Sequence, residues 1–225
     1  MRYKKLKQEL ANMFKKLVAE NLIQGEMVNL SIRTKRGIII NKMGKMSMAE
    51  NYILVDIKGK PCECTKIQPS LLVSIHCKIY KIRQDVNAVL LCRGGAYTEI
   101  MANISQKFPI TPEVSFLFGS PLTIIKIDKL KAKDVDEFIV KQKNIISKNL
   151  KTCNGVIIPF LGVGIVGKDL EEIYYRIKAL ENIAKTIVFT KLFSLGRSNL
   201  RIPINIPLWL DNLLKKEGKI SLEGG

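Results

Sequence analysis

Side chains that commonly carry catalysis are scarce in this sequence. It contains one histidine, His76, and an odd number of cysteines. The five cysteines are Cys62, Cys64, Cys77, Cys92 and Cys153. The spacing Cys62-x-Cys64 is too short for a zinc knuckle and has no companion pair, so two incidental cysteines on a turn are the better interpretation. Residue type and spacing therefore predict no zinc site of the knuckle type.

Glycine patterns that bind phosphate are also absent in their usual context. Gly162-x-Gly164-x-x-Gly167 matches the dinucleotide-binding pattern formally. However, most of it lies within a predicted strand, and Gly167 only opens the helix that follows. No P-loop, G-x-S-x-G or H-E-x-x-H motif occurs. Local motifs thus assign no activity to the chain.

Charge is the most unusual property of the composition. The 225 residues include 37 Lys and Arg against 20 Asp and Glu, a net charge of +17. Of the basic residues, 29 are Lys and 8 are Arg. Lys is a mobile, strongly hydrated charge, whereas Arg supplies the rigid fork favoured for phosphate and base recognition. Because the lysines are spread along the chain without interleaved aromatic residues, we expect a solvated basic surface rather than a nucleic-acid interface.

Composition and length favour one globular domain. Apolar residues make up 47% and charged residues 25% of the chain, which excludes a disordered or fibrous protein. A chain of this length buries enough surface to fold without disulfides or a structural metal. The basic N-terminus lacks the apolar core of a signal peptide, and no run of 18 apolar residues exists. We therefore expect a cytoplasmic protein with reduced thiols and no membrane association.

Hydrophobic periodicity predicts alternating helices and strands. Helical spacing extends over residues 6–22, 71–80, 134–147 and from Asp169 to Val188. Strand patterns cover residues 28–32, 37–41, 52–57, 86–91, 122–127, 156–158 and 163–166. Asp169 and Glu172 are placed to form an acidic version of the capping box at the start of the last helix. This order of elements predicts a layered α/β fold.

Four stretches, in order, resemble the class II aldolase and adducin family. They are Gln24 to Arg33, Ile38 to Gly44, Pro69 to Val89 and Gly162 to Glu172. The resemblance covers about residues 3 to 195. It implies a three-layer α/β/α single domain with a mixed, mainly antiparallel sheet. That domain would span residues 1–225, with 1–200 as the family core and 201–225 as a tail packing on the domain or on a neighbouring subunit.

The resemblance also implies a chemistry. Enzymes of the family act on phosphorylated sugars, with three histidines holding a Zn²⁺ that polarises a carbonyl and stabilises an enediolate. A glutamate moves the proton. A glycine-ending loop and nearby hydroxyl groups hold the substrate phosphate. Assembly by resemblance is a homo-oligomer, expected to be a tetramer.

This chain departs from the family at the positions that carry the chemistry. Leu91 and Arg93 stand where the family has its His-x-His pair, and Leu161 stands where it has the third histidine. Leu72 replaces the glutamate that acts as acid and base. Cys92 cannot substitute as a ligand, because strand alternation directs it away from the face shared by Leu91 and Arg93. We therefore predict that the chain binds no metal at this site and needs no zinc cofactor.

Some polar residues around the altered site remain candidates for binding an anion. These candidates are Asn29, Ser31, Lys42, Gly44, Ser70 and Arg93. For Arg93 two interpretations stay open: an anion anchor that replaces the metal, or an ion pair with a carboxylate or a helix C-terminus. For His76 the alternatives are a titrating group in the cleft and a structural histidine bonded within the helix layer.

Three functional hypotheses follow from the sequence. The first is a pseudoenzyme that keeps the family fold and binds a phosphorylated or other anionic small molecule, or a protein partner, through the altered cleft. The second is a divalent-metal aldehyde-lyase or epimerase of carbohydrate metabolism with a rearranged site. The third, less favoured, is weak binding of nucleic acid, which salt would weaken steeply.

Overall fold

A seven-stranded sheet forms the centre of the protein in a computed structural model, which describes residues 2–42, 46–62, 68–104, 111–119, 122–125, 135–158 and 162–195. The strands follow the order β3-β2-β1-β4-β7-β6-β5 across the sheet. Their bounds are β1 Ile23–Thr34, β2 Gly37–Asn41, β3 Tyr52–Val55, β4 Ala88–Gly94, β5 Thr123–Ile124, β6 Gly155–Ile158 and β7 Gly162–Gly167.

Within these ranges, six α-helices and a short 3-10 helix, Ala49–Asn51, accompany the sheet. The helices are α1 Arg2–Ala19, α2 Val73–Ile82, α3 Ala96–Ile104, α4 Pro112–Phe118, α5 Val135–Asn149 and α6 Leu170–Leu195. Among the helices in the described part of the chain, none combines the length and apolarity needed to cross a bilayer.

The predicted fold class is confirmed. Neighbouring strands pair antiparallel throughout the sheet, except that β5 runs parallel to β6. In β3, β6 and β7 successive residues are buried, although their side chains point to opposite faces. Both faces of the sheet are therefore covered, as a three-layer α/β/α arrangement requires.

One face of the sheet carries an extended apolar cluster beneath α2 and α5. Strand residues Ile40, Val89 and Leu91 belong to it, together with Ile75 from α2 and Ile146 from α5. Leu72 is half-buried against the same cluster. Strand β4, which carries the altered positions Leu91 and Arg93, runs through this part of the sheet.

Several element boundaries differ from the sequence prediction. The third strand ends at Val55 rather than residue 57, because the Asp56 carboxylate accepts the backbone N–H groups of Lys58 and Lys60 and closes a turn. Helix α2 begins at Val73 rather than residue 71, since Leu72 is its capping residue. Of the strand predicted for residues 122–127, the described part forms only Thr123–Ile124.

Helices α3 and α4 are absent from the prediction based on hydrophobic periodicity. For α4 the local signals exist: Thr111 accepts the Val114 N–H at 3.1 Å, Pro112 follows, and Gly119 ends the helix with φ of 73°. The capping box of α6 is confirmed, since Asp169 accepts the N–H of Glu172 at 2.8 Å.

The chain divides into two compact units, Met1–Val188 and Phe189–Gly225. Of the second unit, the structure describes residues 189–195 as the last turns of α6. The predicted tail, 201–225, lies outside the described residues. Gly44 and Leu161 lie outside them as well. The single-domain boundaries therefore stay a prediction.

Candidate functional site

Strands β1 and β4 bring the candidate residues together at the centre of the sheet. Asn29 lies directly opposite Leu91, and Ser31 lies opposite Val89. Because side chains alternate along a strand, these residues share one face, and Arg93 at the end of β4 belongs to that face too. The register identifies no ligand and no reaction. It does place Asn29, Ser31, Leu91 and Arg93 on one face of the sheet.

Asn29 and Ser70 form the polar part of this surface. The Ser70 hydroxyl donates to the carboxamide oxygen of Asn29 and accepts the N–H of Leu72 at 3.2 Å. Within the described part of the chain, the Asn29 amide nitrogen makes no hydrogen bond, although the residue is only 7% exposed. Lys42 is half-buried beside them and pairs through its backbone with Pro69. Among the described residues, the two N–H donors of Asn29 thus have no acceptor.

Ser31 is enclosed between the sheet and α2. Its hydroxyl lies 2.7 Å from His76 Nδ1 and 2.9 Å from the Tyr80 hydroxyl, and all three residues are fully buried. Burial lowers the pKa of His76 to about 3, so the ring is neutral at physiological pH. The geometry supports the structural interpretation of His76. It also shows Ser31 engaged in the layer beneath α2 instead of presenting its hydroxyl at a surface.

Two of the leucines at the altered positions are associated with the same apolar cluster, Leu91 as a member and Leu72 packed against it. Leu91 is 5% exposed, and Leu72 packs against the cluster to which Leu91 belongs. A Cβ on Gly164, the partner of Leu91 in β7, would lie 3.1 Å from Leu91, so that glycine gives the leucine its room. Cys92 is not part of this cluster, as alternation predicts. Burial raises the pKa of its thiol, which disfavours the thiolate that a metal requires.

Arg93 ends β4 with a half-exposed guanidinium. Its side chain is 46% exposed, and Nη2 lies 3.7 Å from the Glu99 carboxylate, which is 7% exposed. Glu99 also accepts the N–H of Gly94 at 3.2 Å. Burial raises the pKa of the Glu99 carboxyl, and Arg93 and Gly94 offset only part of that rise. Arg93 thus makes the predicted ion pair while part of its charge still faces solvent.

A second carboxylate holds the helix that carries Glu99. Glu181 of α6 accepts the N–H groups of Tyr97 and Thr98 at 2.9 and 3.0 Å, and the Thr98 hydroxyl at 2.6 Å. It therefore satisfies orphan donors in the first turn of α3. A Cβ on Gly95 would overlap this carboxylate, so a larger residue there would displace Glu181 from the start of α3. Burial raises the pKa of Glu181, against the effect of these hydrogen bonds.

The residues present do not fit the zinc site that the resemblance implies. A site of three histidines is excluded, because His76 is the only histidine and its Nδ1 bonds Ser31. In the described ranges, no three residues among His, Cys, Asp and Glu come close enough to hold a metal ion. The side chains at the end of β4 are instead a leucine, a thiol with a raised pKa, and a cation.

Solved structures share this architecture. An L-fuculose 1-phosphate aldolase structure superposes with a TM-score of 0.70 and 21% identity, covering 95% of this chain and 96% of that one. The L-fuculose-1-phosphate aldolase of Thermus thermophilus gives 0.65 at 18% identity, covering 86% of this chain and 97% of its own. At these identities the likeness concerns the fold, that of class II aldolases.

The sequence comparison makes the assignment more specific. The profile of the Class II Aldolase and Adducin N-terminal domain matches residues 8–188. The chain therefore belongs to the class II aldolase and adducin family. An L-fuculose phosphate aldolase of Methanococcus maripaludis strain C5 is 24% identical over 168 residues, 72% of this chain and 84% of that protein.

Sequence reasoning misses two members of this site, Glu99 and Glu181. Glu99 follows the altered strand, but its position in the sequence does not by itself indicate a role. A carboxylate six residues after Arg93 is nevertheless a sequence feature that favours an ion pair. No comparable local signal points to Glu181, because 83 residues separate it from the Thr98 hydroxyl that it binds.

Proposed function

We propose that this family member is a binding protein without metal-dependent aldol chemistry, and that Arg93 anchors a phosphorylated or similarly anionic small molecule. The observation that carries the proposal is the half-exposed Arg93 guanidinium, two residues beyond the buried Leu91 on β4 and paired loosely with Glu99. A fixed cation beside apolar side chains attracts an oxyanion and repels a divalent cation. The leucines cannot replace the water that a metal would lose on binding.

The donors near Arg93 support an oxyanion as ligand. Arg93 supplies a planar fork that matches phosphate and sulfate geometry. Asn29 on β1 pairs with Leu91 on β4, two residues before Arg93, so Asn29 and Arg93 are diagonal neighbours on the same face. The Asn29 amide supplies N–H donors there. Lys42 and Ser70 lie close to Asn29 through the Lys42–Pro69 bridge and the Asn29–Ser70 hydrogen bond. An apolar portion of the ligand would lie against Leu72, which is only half-buried.

Calorimetric titration with inorganic sulfate tests this proposal. Arg93→Ala is expected to weaken sulfate binding by about 1.5–3 kcal/mol, roughly tenfold to a hundredfold, because a charge-assisted hydrogen bond is lost. The matched control is Arg36→Ala, which removes the same charge from an exposed turn. Equal losses in both variants would show a nonspecific charge effect and contradict the anchor.

The alternative is a lyase, and it draws support from the relatives described as L-fuculose phosphate aldolases. Cleavage of fuculose 1-phosphate with added Zn²⁺ or Mn²⁺, abolished by a chelator, would replace the proposal. The basic charge of +17 supports nucleic-acid binding only as a second alternative. Filter binding at low salt tests that alternative, and retention that survives Arg93→Ala would place it outside this site.

A further inference from the structure

Glu99 and Arg93 form an unequal ion pair. Glu99 is buried on α3 and keeps one oxygen on the Gly94 N–H at 3.2 Å, while its other oxygen faces Arg93 Nη2 at 3.7 Å. The 3.7 Å between Arg93 Nη2 and the Glu99 oxygen is longer than a hydrogen bond. The guanidinium is therefore attracted by Glu99 without being fully engaged, and 46% of the side chain stays exposed.

Charged groups on two elements, β4 and α6, act on the Glu99 carboxyl. Arg93 of β4 favours its ionised form, and Glu181 of α6 opposes it. Cys92 of β4 is close enough to respond to the Glu99 charge, but its own thiol stays protonated because burial raises its pKa. On α3 itself, Asn103 donates to the Glu99 backbone carbonyl and not to the carboxylate. Burial has the largest effect and raises the pKa of Glu99, so its ionised form is less stable than that of an exposed glutamate.

We propose that Glu99 and an incoming oxyanion compete for Arg93, so that binding of the anion is coupled to uptake of one proton by Glu99. This inference rests on the proposed function of Arg93. When a dianion approaches the guanidinium, it places negative charge beside a carboxylate that burial already destabilises. The carboxylate then takes a proton from hydronium or a buffer acid: the donor's bond to that proton breaks as the Glu99 O–H bond forms, and no other covalent bond changes.

The coupling fixes the direction of the pH dependence. Anion affinity rises as pH falls, because protonation of Glu99 removes the competitor and leaves the full charge of Arg93. With one proton taken up per anion, the slope is at most about tenfold per pH unit. The raised pKa of Glu99 brings this dependence closer to neutral pH than an exposed glutamate would. Glu99 therefore acts through Arg93, as a positioning and charge-compensating residue.

Sulfate titrations in two buffers of different ionisation enthalpy test the coupling in the wild-type protein. Sulfate is the probe because its own charge does not change near neutral pH, unlike that of phosphate. The dependence of the observed heat on the buffer gives the number of protons taken up per sulfate bound. We expect net uptake approaching one proton, and an affinity that increases toward acid pH.

Glu99→Gln removes the competing charge and keeps an oxygen for the Gly94 N–H. This variant is expected to bind sulfate several-fold more tightly at neutral pH, with no proton uptake and a flat pH profile. The control Glu171→Gln removes the same charge from an exposed position on α6 and should keep the wild-type uptake.

The outcomes separate the two proposals. If Arg93→Ala abolishes sulfate binding but the wild-type protein takes up no proton, the coupling is overturned and the anchor stands. If sulfate fails to bind at any pH, both are overturned. Proton uptake that persists in Glu99→Gln would assign the proton to another group and overturn the role of Glu99. If this variant does not fold, the proton uptake measured in the wild-type protein still tests whether anion binding is coupled to protonation.

Discussion

At the scale of single residues, His76 makes stability depend on acid pH. Its ring is fully buried and neutral, and burial lowers the pKa of His76 from 6.5 to about 3. Between these values the unfolded chain binds a proton that the folded chain does not. The free energy of unfolding therefore falls with decreasing pH by about 1.4 kcal/mol per unit from this group. Stability from neutral His76 is fully present above the unfolded pKa.

Urea unfolding at a series of pH values checks this expectation. His76→Gln keeps a polar side chain but does not titrate, so its curve should be flatter than the wild-type curve between about pH 6 and pH 4. The difference between the two curves isolates His76 from the carboxylates that titrate at lower pH. Parallel curves would show that protonation of His76 does not limit acid stability.

A second prediction for a single residue concerns Glu181. Glu181→Ala leaves the Tyr97 and Thr98 N–H groups and the Thr98 hydroxyl without their acceptor, and should cost about 1–3 kcal/mol of unfolding free energy. Asn182→Ala, at an exposed position of the same helical turn, is the matched control and should change stability by less than about 0.5 kcal/mol. Equal effects of the two substitutions would contradict the capping role.

Individual residues also show which contacts can be predicted from the sequence. Alternation along β4 predicts that Leu91 and Cys92 face opposite sides, and the apolar cluster contains only Leu91 of the two. For the ion-pair partner of Arg93, the sequence leaves two types open, a carboxylate or a helix C-terminus, and the structure shows a carboxylate, Glu99. Glu181 cannot be found from the sequence, because its role depends on α6 folding back to α3.

At the scale of elements, the close approach of β7 to β4 depends on a glycine. Gly162 has φ of 122°, and a Cβ there would overlap the Cys92 carbonyl oxygen of β4. Gly162→Ala is therefore expected to destabilise the protein by more than about 4 kcal/mol or to prevent folding. Gly119→Ala shares the positive φ but has only ordinary contacts, at 3.7 Å, and should cost about 1 kcal/mol.

Thermal unfolding of both variants separates backbone collision from conformational strain. A large loss in Gly162→Ala with a small loss in Gly119→Ala supports the collision. Similar losses would mean that positive φ alone explains the cost and that β7 can shift away from β4.

Elements with local signals are predictable from the sequence, and elements held by distant contacts are not. Asp169 and Glu172 predict the start of α6, and both capping contacts form, the second from the Lys168 N–H to Glu172 at 2.6 Å. Helix α3 depends on Glu181 at its start, so its own nine residues give little indication. The mainly antiparallel character of the sheet was implied by the resemblance, since periodicity cannot specify which strands are neighbours.

At the scale of the whole molecule, assembly stays a prediction. The resemblance implies a homo-oligomer, expected to be a tetramer, and light scattering of the purified protein would measure it. We expect a mass four times that of one chain. Because the net charge of +17 favours repulsion between copies, the assembly should become more stable with added salt. A monomer at every salt concentration would contradict the assembly.

The position of β4 in the sheet has a consequence for the order in which the protein is made. Its neighbours are β1, which precedes it by some sixty residues, and β7, which follows it by about seventy. During synthesis, β4 can pair with β1 early, but its other edge stays open until residue 167 has left the ribosome. Pairings this distant in sequence form slowly and leave an unpaired edge exposed. The strand that carries Arg93 is thus among the last parts of the nascent chain to be completed, and this stage is when chaperone protection would matter most.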